Sequence, residues 1–222
     1  VNYGKNSIEV ITLLLCMKLI APTQVFLLRG SSETPGMTKI HGFKDECTSR
    51  YDSELYHLFL EVFDCMPLAA IVNDVENTKS ILCLNGGISS HFTNIKQLED
   101  IERPLNESDM NLVHSMLWAD PSVLSNNNSK NNNSDASSTF SQKAVHTFLK
   151  RNHLDSIIRS HQYKVDGYEY PFGYDDRSVL TIFSAPAYDN GKVHHNVGSK
   201  VYLRDSMLYT VKSYKGENND VV

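Results

Sequence analysis

Four short apolar runs, each ending in a polar turn, constrain this chain more than anything else in it. Residues 25–28 lead into Arg29-Gly30-Ser31-Ser32-Glu33, and residues 80–84 into Asn85-Gly86-Gly87. Residues 156–158 lead into Arg159-Ser160-His161-Gln162, and residues 179–183 into Ser184-Ala185-Pro186-Ala187-Tyr188. Short runs rich in Val, Ile and Leu, bounded by turn residues, read as buried strands. Loops at the ends of rigid strands are where binding and catalytic groups gather. If the carboxyl ends of these strands meet on one rim, their turns line one site.

The segments between them supply helices. Ser7 is expected to cap a helix over 8–19 that Pro22 ends, with its apolar face in the core. Residues 34–42 hold a proline and two glycines and read as a loop. Tyr51, Leu55, Leu58, Phe59 and Val62 form a helical stripe over 50–63. Residues 69–72 and 80–84 pair as a hairpin, 142–150 is helical, and 200–203 with 208–213 makes a second hairpin. Residues 125–138, SNNNSKNNNSDASS, are low in complexity and form an insertion, since apolar patterning resumes at Phe140. The mixture predicts an α+β domain over 1–216, a sheet-on-sheet core covered by helices, with a tail at 217–222.

Composition removes several classes. A net charge of -5 argues against nucleic acid as partner, because a phosphate backbone needs a basic face. The longest apolar run, 8–21, is interrupted by Glu9 and Lys18 and is too short to span a bilayer, so no membrane partner is expected. No signal-peptide pattern is visible. Cys16, Cys47, Cys65 and Cys83 are widely spaced with no CxxC, and read as buried thiols of a reducing compartment, cytoplasmic or nuclear. The N-x-Ser sequons at Asn106, Asn127 and Asn132 read as chance occurrences.

NSIEVITLLL, VFLLRG, FKDEC, FDCMPLAAIV, LWADP, FLKRNHLDSIIRSHQ, DGYEY and LTIFSAP occur in this order along residues 1–214. In that order and spacing the chain resembles the serine/threonine phosphoprotein phosphatases, the metallophosphatases that include calcineurin and protein phosphatase 1. FKDEC and FDCMPLAA lean toward the calcineurin branch. The resemblance implies a β-sandwich flanked by helices, with its first strands lying before Val1. It also implies two divalent ions (Mn, Fe or Zn) between strand-end loops, a metal-bound hydroxide as nucleophile, a histidine acid and phosphate-gripping arginines.

Carried over residue by residue, the resemblance predicts a degenerate site. The first metal motif, Gly-Asp-x-His-Gly, would fall before Val1. In the second motif, the Asp that orients the catalytic histidine is Asn2 and the phosphate-binding Arg is Tyr3. In Arg-Gly-Asn-His-Glu a metal ligand has become Ser31 and the general acid Ser32. The metal histidine of His-Gly-Gly is Asn85. The last metal histidine is kept as His161, Tyr188 is kept over the cleft, and the second phosphate arginine falls near Ser134. Arg29 is retained, to face an anion or to pair with a carboxylate such as Glu33.

Beside these stand plainer readings. His161 is a lone metal ligand or simply a hydrogen-bonded side chain. His153, His194 and His195 are surface groups, and Trp118 is a packing anchor. Ser31-Ser32 lacks a base in its own motif and is no nucleophile pair. Neutral hydroxyls and an amide are poor ligands for a transition metal. The leading expectation is therefore an inactive phosphatase homologue without cofactor, acting by binding a protein partner or holding an assembly. No helix for docking a calcium-sensing subunit follows the domain in this sequence. The alternatives are an active phosphatase with atypical ligands, and a decayed product with no independent fold.

Overall fold

The computed structural model describes residues 1–76, 78–122, 139–188, 196–204 and 209–215. The Asn-rich insertion with Ser134, the pair His194-His195 and the tail at 217–222 lie outside the described residues. The elements run α1 (Ser7–Ile20), α2 (Pro35–Ile40), α3 (Phe43–Arg50), α4 (Ser53–Cys65), β1 (Ala69–Asn73), β2 (Ser80–Leu84) and α5 (Met110–Trp118). They continue with β3 (Asp120–Pro121), β4 (Thr139–Phe140), α6 (Gln142–Asn152), β5 (Ser156–Arg159), β6 (Tyr168–Glu169), β7 (Val179–Ile182), β8 (Gly198–Leu203) and β9 (Tyr209–Tyr214).

A five-stranded mixed sheet in the order β1-β2-β5-β7-β6 organises the chain. Its three central strands are parallel, and β1 and β6 pair antiparallel at the two edges. The central strands are buried on both faces, which is why they read as continuous apolar runs rather than alternating ones. Leu82, Ile157, Val179 and Leu180 are fully buried there, the first three packed with Val113, Met116 and Leu117 of α5 and Val145, Phe148 and Leu149 of α6. The 145, 148, 149 spacing is one face of a helix. A second apolar cluster joins Ile8 and Ile11 of α1 to Phe43 and Cys47 of α3 and Tyr56, Phe59 and Phe63 of α4. The β8–β9 hairpin joins the end of β7 through Ser199 N–H to Phe183 O at 3.0 Å. No described helix is long and apolar enough to cross a membrane.

Several local expectations are corrected. Ser7 lies inside α1, and Asn6 occupies the cap position without a side-chain bond. The apolar face of α1 is not all core: only Ile8 and Ile11 are buried among its large apolar residues, while Leu13, Leu19 and Ile20 stand exposed. That helix is apolar around its whole circumference, and α3 and α4 cover one side of it. Residues 25–28 are not a strand. Arg29 N–H bonds Pro67 O, but no described strand pairs with the segment, and a strand exists only as a paired ladder. The expected loop at 34–42 contains α2, with Pro35 in the first turn, where its missing N–H costs nothing.

The helix expected over 50–63 is two helices. Asp52 caps α4 by accepting from Leu55 N–H at 2.8 Å, which leaves Arg50 in α3 and Tyr51 exposed between them. The buried face of α4 is Tyr56, Phe59 and Phe63, while Leu58 and Val62 face outward. Of the four thiols, only Cys47 is buried. Cys16 and Cys65 are exposed, and all four are free.

Leu82, with no exposed surface at the centre of the sheet, gives the most direct test of this core. Leu82→Ala is expected to lower unfolding free energy by about 2–5 kcal/mol, read from the urea midpoint. A loss below about 1 kcal/mol would place that residue outside the packed centre.

Candidate functional site

The three parallel strands end in register: Leu84 of β2 lies opposite Arg159 of β5, and Arg159 opposite Thr181 of β7. Their following turns therefore emerge side by side at the carboxyl edge of the sheet, the usual place for a ligand in an open parallel sheet. The turn after β2 is pressed against the end of α5. Gly86 N–H bonds Met116 O at 2.7 Å, and a Cβ on Gly86 would sit 2.6 Å from the Leu117 carbonyl carbon. Only glycine allows that approach. Ser160 N–H then bonds Asn85 O at 3.1 Å, joining the first turn to the second.

Arg159 fixes these turns from behind. Its guanidinium is fully buried and donates to Gly86 O, to Gln162 Oε1 at 2.9 Å, to Thr181 Oγ1 at 3.2 Å, to Ala119 O at 3.3 Å and to Asp120 Oδ1 at 2.6 Å. Every guanidinium nitrogen is thus engaged. Burial pulls its pKa down to about 10, and Asp120 opposes that by favouring the charged form. Arg159 is charged at neutral pH and has no donor left over for a ligand.

In front of this frame is a cleft of about 670 Å³. Asn2, Tyr3, Ser31, Ser32, Asn85, His161 and Tyr188 all line it. Every described position that the resemblance assigned to a metal, acid or phosphate role thus opens on one space, except Arg29.

The side chains are tied to one another. Ser31 Oγ and His161 Nδ1 are 3.2 Å apart. Asn85 Nδ2 donates to Leu117 O at 2.8 Å, and its Oδ1 lies against Gly30. Asn2 Nδ2 donates to Ser32 O at 3.1 Å, and its Oδ1 accepts from Phe43 N–H at 3.3 Å, so Asn2 clamps the loop to the start of α3. Tyr3 stands over the opening, 55 % exposed, its ring centroid 4.6 Å from His41 and 5.8 Å from Tyr188.

Backbone strain is concentrated here. Among the described residues, five non-glycine residues have positive φ, and four of them, Asn2, Tyr3, His161 and Ala187, line the cleft. Such conformations cost on the order of 1 kcal/mol or more each and persist where surrounding structure imposes them, typically at ligand sites. The fifth, His153, ends α6 in the left-handed conformation, a common helix terminus rather than a site.

Two assignments change. Arg29 neither lines the cleft nor pairs with the Glu33 carboxylate. It is 4 % exposed, bonded to Asp64 Oδ1 at 2.9 Å and to the backbone oxygen of Glu33. The phosphate-binding expectation for Arg29 fails because its donors point into the protein. Asp64, its partner, sits in an amphipathic helix where nothing in the local pattern marks it as a counter-ion. Trp118, expected as a packing anchor only, also lines the cleft, its ring edge-on to His161 at 5.3 Å. Met37 lines it too, hidden from sequence reasoning because α2 was expected to be a loop.

A pair of transition-metal ions needs several imidazoles and carboxylates. The described lining offers one imidazole, His161, and one carboxylate, Glu33, whose Oε2 accepts from Gly30 N–H at 2.9 Å. Among the described residues, no three His, Cys, Asp or Glu side chains come together closely enough to hold a metal. These residues do not fit the bimetallic group. Burial lowers the His161 pKa from its ordinary value, with Asp120 opposing and Arg159 reinforcing, which favours the neutral ring.

Removing the Asp120 carboxylate strands a buried guanidinium. Asp120→Ala is expected to cost about 3–5 kcal/mol in urea unfolding. A loss under about 1 kcal/mol would mean that Arg159 does not hold the cleft together.

Two comparisons bear on this arrangement. The family model described as calcineurin-like phosphoesterase matches residues 1–165. A solved protein serine/threonine phosphatase from Saccharomyces cerevisiae, described as similar to the human phosphatase PP5, superposes with a TM-score of 0.82 at 26% sequence identity. The match covers 100% of this chain and 70% of that one. With its strands ending at a common cleft and the family model matching most of its length, the chain belongs to the calcineurin-like phosphoesterase family and has the metallophosphatase fold.

Proposed function

We propose that this chain is a catalytically inactive homologue of the serine/threonine protein phosphatases, and that it works by binding a protein partner. One observation carries the reading: no lysine or arginine occurs among the described residues of the cleft, and the metal and acid positions there hold Ser31, Ser32 and Asn85. Phosphoryl transfer to water in this fold needs cations to neutralise the phosphate and to generate hydroxide. Arg29 and Arg159, each next in sequence to a residue of the cleft, are both committed to internal partners.

The chain's own groups do other things. Asn2 and Asn85 use their amides to fasten loops. Ser31 Oγ lies within hydrogen-bond distance of His161 Nδ1. Tyr3 and Trp118 present aromatic surface to the opening. An aromatic-edged cleft whose lone described carboxylate, Glu33, is bonded to Gly30 N–H suits recognition of a peptide segment better than turnover of a charged monoester.

Hydrolysis of p-nitrophenyl phosphate and of a phosphoserine peptide, with added manganese, tests this. No protein-dependent turnover is expected, and Ser31→Asn with Ser32→His alone restores none, because the remaining ligand positions stay changed. Loss of the acid alone lowers rate by about 10²–10⁴. Manganese-dependent turnover by the unaltered protein would overturn the proposal in favour of an active phosphatase with atypical ligands.

A further inference from the structure

Helix α6 carries cations that no described carboxylate answers. Over Gln142–Asn152 it holds Lys143, Lys150 and Arg151 and no Asp or Glu, in a chain whose net charge is -5. Lys143 sits in the first turn, where the helix dipole disfavours a cation, and no acidic residue of that turn offsets it. Among the described residues neither Lys143 nor Arg151 makes an ion pair. Asp176, a carboxylate that meets this helix, is shared between Gln142 Nε2 at 2.5 Å and His146 Nε2 at 2.9 Å.

The same helix walls a cavity of about 650 Å³ that shares no lining residue with the cleft. That volume is in the range of small-molecule sites. Lys143, Thr147 and Arg151 all line it. They follow one another at four-residue spacing, so they share one face of α6, with a cation at each end and a hydroxyl between. Two turns of helix separate the cations by about 12 Å along the axis. Ser90, Thr93, Ser122 and Thr139 add hydroxyls to the lining, and no Asp or Glu occurs among its described residues.

The floor of the cavity is apolar and already formed. Phe92 and Phe148 pack with ring centroids 5.2 Å apart. Phe140 is 3 % exposed and its ring is pressed on Gly87, where a Cβ would lie 2.1 Å from Cε1. Each component of the lining selects a feature of the occupant. Separated cations call for separated anionic groups. Hydroxyl walls exchange hydrogen bonds with a hydroxylated body, and a purely apolar body would leave them unmatched. The C–H faces of a sugar ring can lie against the phenylalanine floor. A lone inorganic anion would leave most of the volume unfilled.

We propose that this cavity binds a small polyhydroxylated molecule with an anionic group at each end, of the sugar-bisphosphate class, Lys143 and Arg151 each taking one phosphate. The phosphate beside Lys143 also meets the positive end of α6. The site stands apart from the cleft and does not depend on whether the cleft is catalytic.

Isothermal titration calorimetry of the full chain with fructose 1,6-bisphosphate, without added metal, tests it. Glucose 6-phosphate, glucose and inorganic phosphate are the comparison probes. The bisphosphate is expected to bind one to one, about tenfold or more tightly than the monophosphate, with affinity falling as salt rises. Lys143→Ala and Arg151→Ala each weaken it by about tenfold or more and leave the urea midpoint unchanged, because both side chains are exposed. The double variant Lys143→Glu, Arg151→Glu abolishes binding. Absence of binding, or retention in the double variant, would overturn the proposal. Equal binding of inorganic phosphate would make this an unselective anion site, and equal binding of glucose 6-phosphate would remove the two-ended recognition. Binding seen only after residues 125–138 are replaced by a short Gly-Ser linker would make that tract the occupant, and would overturn it as well.

Discussion

One buried guanidinium holds the cleft together. Arg159 reaches from the end of β5 to the turn after β2, to the residues after α5, to β7 and to Gln162 beyond His161. Buried charge is costly unless every donor is met, and here every donor is. The carboxyl edge of the sheet thereby keeps its shape through contacts among protein groups alone. That frame does not depend on which side chains stand in front of it.

The cleft itself combines a constrained backbone with mostly neutral side chains. Asn2, Tyr3, His161 and Ala187 hold positive φ around it, so the loops still take the path a demanding site imposes. The groups they present are mostly neutral: two hydroxyls, two amides and an imidazole whose pKa burial lowers. Those groups have found one another, Ser31 with His161 and Asn2 with the Ser32 backbone. On the proposed reading, hydrogen bonds between protein groups now occupy the place where charge was once neutralised by metal. Recognition then falls to the shape and surface of the cleft.

Much of this was legible in the sequence because strands announce themselves by apolar runs and turns by their polar ends. The runs over 80–84, 156–158 and 179–183 formed strands almost as read, and their turns share the cleft. What escaped depended on distant partners. Residues 25–28 look like a strand, but pairing is a property of neighbours, and no described segment pairs with them. The helix α1 looks like core because it is apolar all round, yet one side alone meets α3 and α4. Arg29 could be read as facing an anion or as pairing with a carboxylate such as Glu33; it pairs with a carboxylate, but that of Asp64, distant in sequence. Trp118 was placed by its surroundings as packing, and only the approach of the turn carrying His161 makes it also a cleft wall.

The central claim is that the side chains around His161 do not retain a pair of divalent ions. The most direct measurement is the metal content of the purified full chain by elemental analysis after exhaustive dialysis against metal-free buffer. The account predicts far less than one equivalent of manganese, iron and zinc combined. Two tightly held equivalents per chain, lost on His161→Ala, would contradict it.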